Sequence, residues 1–299
     1  MGIRVNPDMY NIILNGLAGE TKRQNQAMQQ LASGQRMNSL SDDPAAVASL
    51  VGLRTESSSN AQYLKNISSL TSSLQVADSA LSSVVTSLTS AVSLGVEGAN
   101  GTLSSANRQA IAQQVQGIQQ QIVGLANTTY NGNYLFSGTA TTTQPYALDA
   151  ASPSGVTYSG NSNINSVEIS PGQAMPINLP GSQLFSNAGN DGFQSLQDLY
   201  NALNTNGDVA TATTKVRSAL NYITAQRTFY GNSLTRLDNA QTFLNQEQLQ
   251  LTQAESNTLD ADMATTITNL TQSETTRDAL LNAAGKIPHS NLFDYLPTG

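Results

Sequence analysis

The placement of proline constrains this chain more than any other feature of its sequence. The nine prolines leave two long stretches uninterrupted, residues 45–144 and residues 181–287. A proline inside a helix costs about 3 kcal/mol, so long helices must be free of it. Five of the prolines fall between positions 145 and 180, in the centre of the chain. The pattern predicts a mainly α fold in which the N- and C-terminal halves form a long antiparallel helical bundle around a small inserted β domain.

Apolar residues recur every seven positions in both proline-free stretches, which is typical of a coiled-coil seam. Three such seams are present. A short turn with glycines at positions 95, 98 and 101 separates the first two, so we expect the two helices to pack as antiparallel neighbours. Arg227 falls on a core-register position of the third seam, where a polar residue weakens packing but fixes register. The predicted seam residues of this rod include Ile67, Leu74, Leu81, Leu88, Ile111, Ile118, Leu237 and Leu244.

Two weaker helices are predicted at the ends of the chain. The first spans residues 8–32, and the last reaches Gly285 before Pro288. A hairpin topology brings them side by side, each with an amphipathic face that one antiparallel pair cannot fully bury, which invites oligomerisation. We predict apolar faces formed by Ile13, Leu17, Met28 and Leu31 in the first helix, and by Leu259, Met263, Ile267, Leu270 and Leu281 in the last.

A turn between two helices is predicted after residue 33. Gly34 suits the left-handed conformation that ends a helix, and Pro44 suits the first position of the next. Asp42 and Asp43 can accept from free backbone N–H groups at that helix start, and Arg36 is placed to bridge across the turn. The two carboxylates lack further oxygen ligands for a cation, so capping explains them better than metal binding. Asp260 and Asp262 are interpreted as residues on a helix face.

The sequence pattern changes between Tyr130 and Asn187, where short runs of β-forming residues lie between Gly, Asn and Pro. No Lys or Arg occurs between Arg108 and Lys215, so this region is acidic to neutral. We predict five segments: residues 1–44 as N-terminal helix and loop, 45–129 and 191–255 as the two halves of the helical rod, 130–190 as the β-rich outer domain, and 256–299 as C-terminal helix and tail.

Composition excludes several classes of function. The 299 residues carry a net charge of −7, which argues against a nucleic-acid partner. With no cysteine and one histidine, neither a Cys–His nucleophile nor a histidine zinc cluster can form. A serine triad would need His289, which follows a helix end and is predicted to be a surface residue. We therefore predict no enzyme, no catalytic residue, no cofactor and no metal. No signal peptide and no membrane-spanning stretch are visible either.

The loop sequence LASGQRMNSLSDDPAA, residues 31–46, resembles the loop between the first two helices of the bacterial flagellin superfamily, L-S-S-G-K/R-R-I-N-S/R-x-x-D-D-P/A-A. Met37 replaces the usual isoleucine, a conservative change. The resemblance marks a set of assembly or hairpin-loop residues: Gly34, Arg36, Asn38, Asp42, Asp43 and Pro44.

Further details resemble the hook–filament junction branch of this superfamily, the hook-associated protein 3 family. The loop ends in D-D-P, and residues 131–138 match an N-G-x-Y-x-F-x-G pattern that is followed by Pro145-Tyr146. Near the start of the chain, the matching residues are Arg4, Val5, Met9 and Tyr10. Gly2 and Ile3 make the spacing there slightly longer than is usual in the family. The C-terminal tail resembles the S-L-F-D/N-Y ending of this family, with Asn291 inserted. This resemblance implies that the tail makes assembly contacts through Leu292, Phe293, Asp294, Tyr295 and Leu296.

What the resemblance implies is a structural adaptor of the bacterial flagellum, extracellular and exported through the flagellar channel without a cleaved signal peptide. Its expected partners are further copies of itself in a ring, hook-associated protein 1 below, flagellin above, and a flagellar export chaperone with the export apparatus. Neither nucleic acid nor membrane is expected. Two alternatives stay open: a small flagellin forming the filament itself, and an unrelated coiled-coil scaffold or extracellular fibre.

Overall fold

A computed structural model describes residues 7–39 and 41–286, of which most are helical. The chain is mainly α with short strands in its middle, as the proline pattern predicts. The elements in chain order are α1 Pro7–Ser33, α2 Pro44–Gly98, α3 Ser105–Ala126, β1 Thr129–Tyr130, β2 Asn133–Tyr134, β3 Tyr146–Leu148, β4 Val156–Tyr158, β5 Ser166–Ser170, β6 Gln173–Pro176, α4 Gly181–Leu184, α5 Gly192–Thr205, α6 Val209–Leu259 and α7 Met263–Gly285.

The chain divides into two compact units. Unit 1 contains the described residues up to Ser58 and from Leu249 onward, and unit 2 contains Ser59–Gln248. Unit 2 holds the larger hydrophobic core, to which α2, α3, α5 and α6 all contribute. The seven-residue seams are buried as predicted: Ile67, Leu74, Leu81, Leu88, Ile111, Leu237 and Leu244 are at most 4% exposed.

One seam residue differs from the prediction. Ile118 is only partly buried, and its neighbour Gln119 is 5% exposed instead. The Gln119 side chain donates to the carbonyl oxygen of Ser154 at 2.7 Å, in the loop between β3 and β4. This partner explains why a polar side chain occupies the better-buried position, because burial of an amide is tolerated when it is hydrogen-bonded.

The glycines at the end of the first long helix also differ from the prediction. Gly95 lies inside α2 rather than in a turn, and the helix continues to Gly98. A Cβ atom at Gly95 would lie 2.3 Å from Oγ1 of Thr213, and one at Gly98 would lie 2.3 Å from Cδ2 of Leu203. These glycines therefore allow close approach of packed side chains, while Gly101 lies in the turn that follows.

The β region consists of three separate two-stranded antiparallel sheets, β1–β2, β3–β4 and β5–β6. Asn131 and Gly132 connect β1 to β2 with positive φ at both positions, 49° and 79°. That is the conformation of a tight hairpin turn and the reason an Asn-Gly pair stands there. An aromatic cluster lies between the hairpins and α5, and it belongs to the same core as the helical seams: Phe136, Tyr146, Phe185 and Phe193.

Within the described residues, α2 is the helix that is long and apolar enough to cross a membrane by length and composition alone. Sequence analysis found no stretch of that kind. The difference arises because Ser and Thr dilute the apolar residues of α2 without adding charge. Its apolar seam is buried in the core of unit 2, which is typical of a core helix.

Candidate assembly surface

Unit 1 is built on the pairing of α1 with α7. The contact between these helices includes polar residues. Arg277 donates to Oε1 of Gln24 at 3.0 Å, and Nε2 of Gln24 lies 3.4 Å from Glu274. Thr266 and Ser273 of α7 are each 5% exposed, although neither is apolar. These polar residues contribute to the pair together with apolar contacts, such as that of Leu280 at Gly16.

Several large apolar side chains of α1 and α7 are left exposed. Met28, Met263, Ile267 and Leu281 are between 44% and 52% exposed, which agrees with the expectation that one antiparallel pair cannot fully bury these faces. Others predicted for those faces are half-buried: Ile13, Leu17, Leu31, Leu259 and Leu270. Periodicity identifies an apolar face but does not say what covers it. The exposed apolar side chains of the two helices are Ile12, Met28, Met263, Ile267 and Leu281, and we refer to them together as the outward apolar surface.

The loop after α1 has the conformation that its residues predict. Gly34 adopts φ +71°, and its N–H donates to the carbonyl oxygen of Gln30 at 2.8 Å. Pro44 begins α2, and Asp43 accepts from the N–H of Ala46 at 3.0 Å. Arg36 reaches across the turn to Asp43, with Nη1 and Oδ2 3.5 Å apart. The local chemistry is that of a capped helix start.

Asp42 organises the middle of this loop. Its carboxylate accepts from the backbone N–H groups of Asn38 and Ser39, at 3.0 and 2.9 Å, and from the Ser39 hydroxyl at 2.8 Å. These hydrogen bonds, the Ser39 hydroxyl first, hold the pKa of Asp42 below its usual value. Asn38 also lies against the start of the loop, 3.4 Å from the carbonyl oxygen of Gln35.

The loop is docked on the link between α6 and α7, a contact that sequence reasoning missed. The Arg36 N–H donates to the carbonyl oxygen of Leu259 at 2.7 Å, and the Ala261 N–H donates to that of Gly34 at 2.9 Å. The Arg36 guanidinium adds a bond to the carbonyl oxygen of Thr258 at 3.2 Å. The last carbonyl groups of a helix have no hydrogen-bond partner inside the helix. At the end of α6, Arg36 from the N-terminal part of the chain donates to two of them.

Asp262 has a different role from the predicted helix face. It is the N-cap of α7 and accepts from the N–H groups of Ala264 and Thr265, at 3.0 and 3.2 Å. The hydroxyl of Thr265 bonds to it at 2.8 Å and lowers its pKa. Asp260 lies in the link before α7 and accepts from Ser256. An Asp shortly before a helical run is the sequence signal that identifies such a cap.

The side chains of the loop after α1 serve as hydrogen-bond partners for the backbone. In the described ranges, no group of three or more His, Asp or Glu side chains is placed to hold a metal ion. The carboxylates of Asp42 and Asp43 face N–H and guanidinium donors. The predicted seam residues belong to unit 2, and the predicted loop residues belong to unit 1. The predicted tail contacts 292–296, together with His289 and the N-terminal residues Arg4 and Val5, lie outside the described residues.

Comparison with known families gives two matches. Residues 7–141 match the bacterial flagellin N-terminal helical region, and residues 213–296 match the bacterial flagellin C-terminal helical region. The two regions include α1, the docked loop, α2, α3 and α7. The residues between them hold β3 to β6, α4, α5 and the first four residues of α6.

Individual relatives agree with these matches. The chain is 26% identical to flagellar hook-associated protein 3 of Escherichia coli, over 95% of this chain and 96% of that protein. It is 30% identical to flagellar hook-associated protein 3 of Salmonella typhimurium, over 66% of this chain and 63% of that protein. In fold it is similar to a solved candidate flagellar hook-associated protein from Vibrio parahaemolyticus, with a TM-score of 0.68 and 24% identity over 73% of this chain and all of that one. The chain belongs to the bacterial flagellin family.

Proposed function

We propose that this chain is a structural subunit of the bacterial flagellum that joins the hook to the flagellin filament. The observation that carries the proposal is the outward apolar surface of unit 1. Exposed Met and Ile side chains at Met28, Met263 and Ile267 are costly in water, at about 25 cal/mol for each Å² of apolar area. Because the pairing of α1 with α7 leaves these side chains exposed, neighbouring subunits are the natural cover for this surface. The similarity to flagellar hook-associated protein 3 of Escherichia coli, over 96% of that protein, supports the junction as the place of assembly.

The proposed partners follow from that position. Copies of the chain associate in a ring through the outward apolar surface, hook-associated protein 1 lies below, and the first flagellin subunits assemble on top. A flagellar export chaperone and the export apparatus handle the chain before assembly, and it leaves the cell through the flagellar channel without a cleaved signal peptide. Its place is then extracellular, at the hook–filament junction. The role is mechanical and architectural, without a catalytic step, cofactor, nucleic acid or membrane.

A small flagellin is the second candidate, because the same outward surface would serve a filament subunit. The two functions differ in copy number and place. A junction protein occupies one band, whereas a flagellin extends along the whole filament. The third possibility, an unrelated coiled-coil fibre, does not fit a chain that belongs to the flagellin family.

Immunogold electron microscopy of intact cells tests the proposal, with an antibody raised against residues 146–185. We expect a single band of label where the hook meets the filament, and no label in a strain from which the gene is deleted. Label along the filament would identify a flagellin and contradict the proposal. Absence of label from every surface appendage of the parent strain would also contradict it.

The tail provides an independent test. We expect the triple variant Leu292→Ala, Phe293→Ala, Tyr295→Ala to be exported but absent from the junction. Its α-helix content and the burial of the unit 2 seam should stay unchanged, as measured by circular dichroism and amide exchange. Replacement of Thr298 by Ala serves as the matched control in the same tail. Normal junction assembly by the triple variant would remove the tail from the proposed contacts.

A further inference from the structure

Unit 2 contains a cavity to which none of the functions above assigns a ligand. It has a volume of about 280 Å³ and lies between α2, the β1–β2 hairpin and the segment after β6. Ligand pockets generally measure about 300–1,000 Å³, so this cavity would hold one small ring rather than a larger molecule. It is distinct from the outward apolar surface, whose residues all belong to unit 1.

The floor of the cavity is apolar and its rim is polar. Leu74 and Tyr230, each 1% exposed, form part of the floor. The rim carries hydroxyl and amide side chains that include Ser73, Asn133 and Tyr134. Within the described residues, none of these three side chains is hydrogen-bonded to another group of the protein. Each of them therefore has donors or acceptors available to a ligand.

The walls of the cavity are fixed in place. The side chain of Asn178 accepts from the Asn165 N–H at 2.7 Å and donates to the carbonyl oxygen of Gly138 at 3.2 Å. The Asn131–Gly132 turn fixes the hairpin that carries Asn133 and Tyr134. A site whose lining residues are already held by other bonds loses little entropy when it binds.

No charged residue lines the cavity. The nearest ionic groups of the neighbouring sequence, Asp78 and Arg227, are paired with each other at 2.9 Å. An ionic ligand would lose its hydration without gaining a counter-charge, so the ligand must be neutral. It must also present an apolar face to the floor and hydroxyl groups around its edge to the rim.

We propose that this cavity binds a single uncharged pyranose ring, either a free monosaccharide or the terminal unit of a glycan. A pyranose has a C–H face and a ring of hydroxyl groups at its edge, which matches an apolar floor and a rim of hydroxyl and amide groups. Its size matches the volume. The aromatic rings of Tyr130 and Tyr134, which also line the cavity, suit contact with such a C–H face.

Saturation-transfer difference NMR on the full chain tests this proposal. Free glucose, galactose and N-acetylglucosamine probe binding of a free sugar, and their methyl glycosides probe binding of a unit within a glycan. Glucuronate serves as the charged analogue. We expect saturation of at least one neutral pyranose with a millimolar dissociation constant, and at least ten-fold weaker binding of glucuronate. Binding of the methyl glycosides alone would identify a glycan as the source.

Two variants locate the sugar. Ser73→Leu fills the cavity and should weaken binding at least ten-fold, and Asn133→Ala, on the exposed edge of the hairpin, should weaken it several-fold. Ser83→Leu is the matched control, because it makes the same change elsewhere on α2, at an exposed position outside the cavity. Absence of saturation from every neutral pyranose would overturn the proposal. So would undiminished binding by both cavity variants, since the sugar would then lie elsewhere.

Discussion

Arg227 of α6 and Asp78 of α2 form a bidentate ion pair, in which Nε and Nη2 of Arg227 each lie 2.9 Å from a carboxylate oxygen of Asp78. The pair lies within unit 2, and its side chains are 29% and 32% exposed. The hydrogen bonds to Asp78 raise the pKa of Arg227. Such a pair admits one register between two long helices and excludes those displaced by a heptad, because displacement would leave both charges without a partner.

The first prediction concerns this pair. We expect Arg227→Ala to destabilise unit 2 by about 1–3 kcal/mol, because Asp78 is left partly buried and unpaired. Arg227→Lys should recover only part of the loss, since an ammonium group cannot bond both oxygens in this geometry. Urea unfolding followed by circular dichroism measures both. Arg236→Ala, on an exposed face of the same helix, is the control and should change stability by less than about 0.5 kcal/mol.

The second prediction concerns Gly95. Replacing glycine by alanine inside a helix normally stabilises it by about 1 kcal/mol. At Gly95 the new Cβ would lie 2.3 Å from Oγ1 of Thr213, whose hydroxyl is held by the carbonyl oxygen of Val209 at 2.7 Å. We therefore expect Gly95→Ala to destabilise the protein by about 1–3 kcal/mol in thermal or urea unfolding.

Gly117 provides the matched comparison for Gly95. It lies in α3 of the same unit, and nothing comes within 4 Å of its Cβ position. Gly117→Ala should stabilise the protein by up to about 1 kcal/mol. Equal effects of the two substitutions would show that close packing at Gly95 does not limit the approach of Thr213.

The third prediction concerns the docked loop of unit 1. Removing the Arg36 side chain takes away its bonds to Thr258 and Asp43 and weakens the adjoining backbone contacts. We expect Arg36→Ala to speed exchange of the Ala261 amide by about ten-fold, which corresponds to about 1.4 kcal/mol of local opening. Arg54→Ala removes another ion pair of the same unit, to Glu255 at 2.8 Å, and should leave that amide unchanged. Equal protection in wild type and Arg36→Ala would show that the backbone bonds alone hold the loop.

The fourth prediction separates assembly from folding. Ile267 and Leu281 are about half exposed, so the double variant Ile267→Ser, Leu281→Ser loses little buried area in the single chain. We expect a change in stability of about 0.5 kcal/mol or less, together with loss of incorporation at the junction in a complementation assay. Thr268→Ala, at an exposed position of the same helix, should incorporate normally. Normal incorporation of the double variant would exclude the outward apolar surface as the subunit interface.

The fifth prediction concerns acid. Hydrogen bonds from Thr265 lower the pKa of Asp262 below 3.8, the value for an unperturbed aspartate. A lowered pKa in the folded state adds stability above the unfolded pKa, and that stability is lost as pH falls through the folded value. We expect the first turn of α7 to lose amide protection below about pH 4. Asp262→Ala should remove this pH dependence at the Thr265 amide, whereas Asp278→Ala, at the far end of the helix, should preserve it.

Much of unit 2 could be predicted from sequence because its chemistry is periodic. Ile67, Leu74, Leu81 and Leu88 recur at the spacing of a coiled coil, and all four are buried. The Asn131–Gly132 pair likewise marks a hairpin by local conformational preference alone. Features of this kind depend on residues close together in the chain.

Unit 1 was harder to predict because its contacts join residues that lie far apart in sequence. The Arg36 side chain was expected to bridge its own turn, and it also reaches Thr258, 222 residues away. Met263 and Ile267 were expected to lie on a face that one helix pair cannot fully bury, but which residues of that face stay exposed could not be predicted; these two are 44% and 52% exposed. A pattern of apolar residues is the same whether the chain or another molecule covers them.

The short hairpins have a consequence for a chain that has to associate in one way only. Its strands contain between two and five residues, and each sheet has two of them. Long flat strand edges act as templates for cross-β aggregation, and short, twisted ones do not. The described strands therefore present little backbone edge to another chain, while the exposed apolar residues of α1 and α7 stand on helices. We expect association of this chain to use helix faces rather than strand edges.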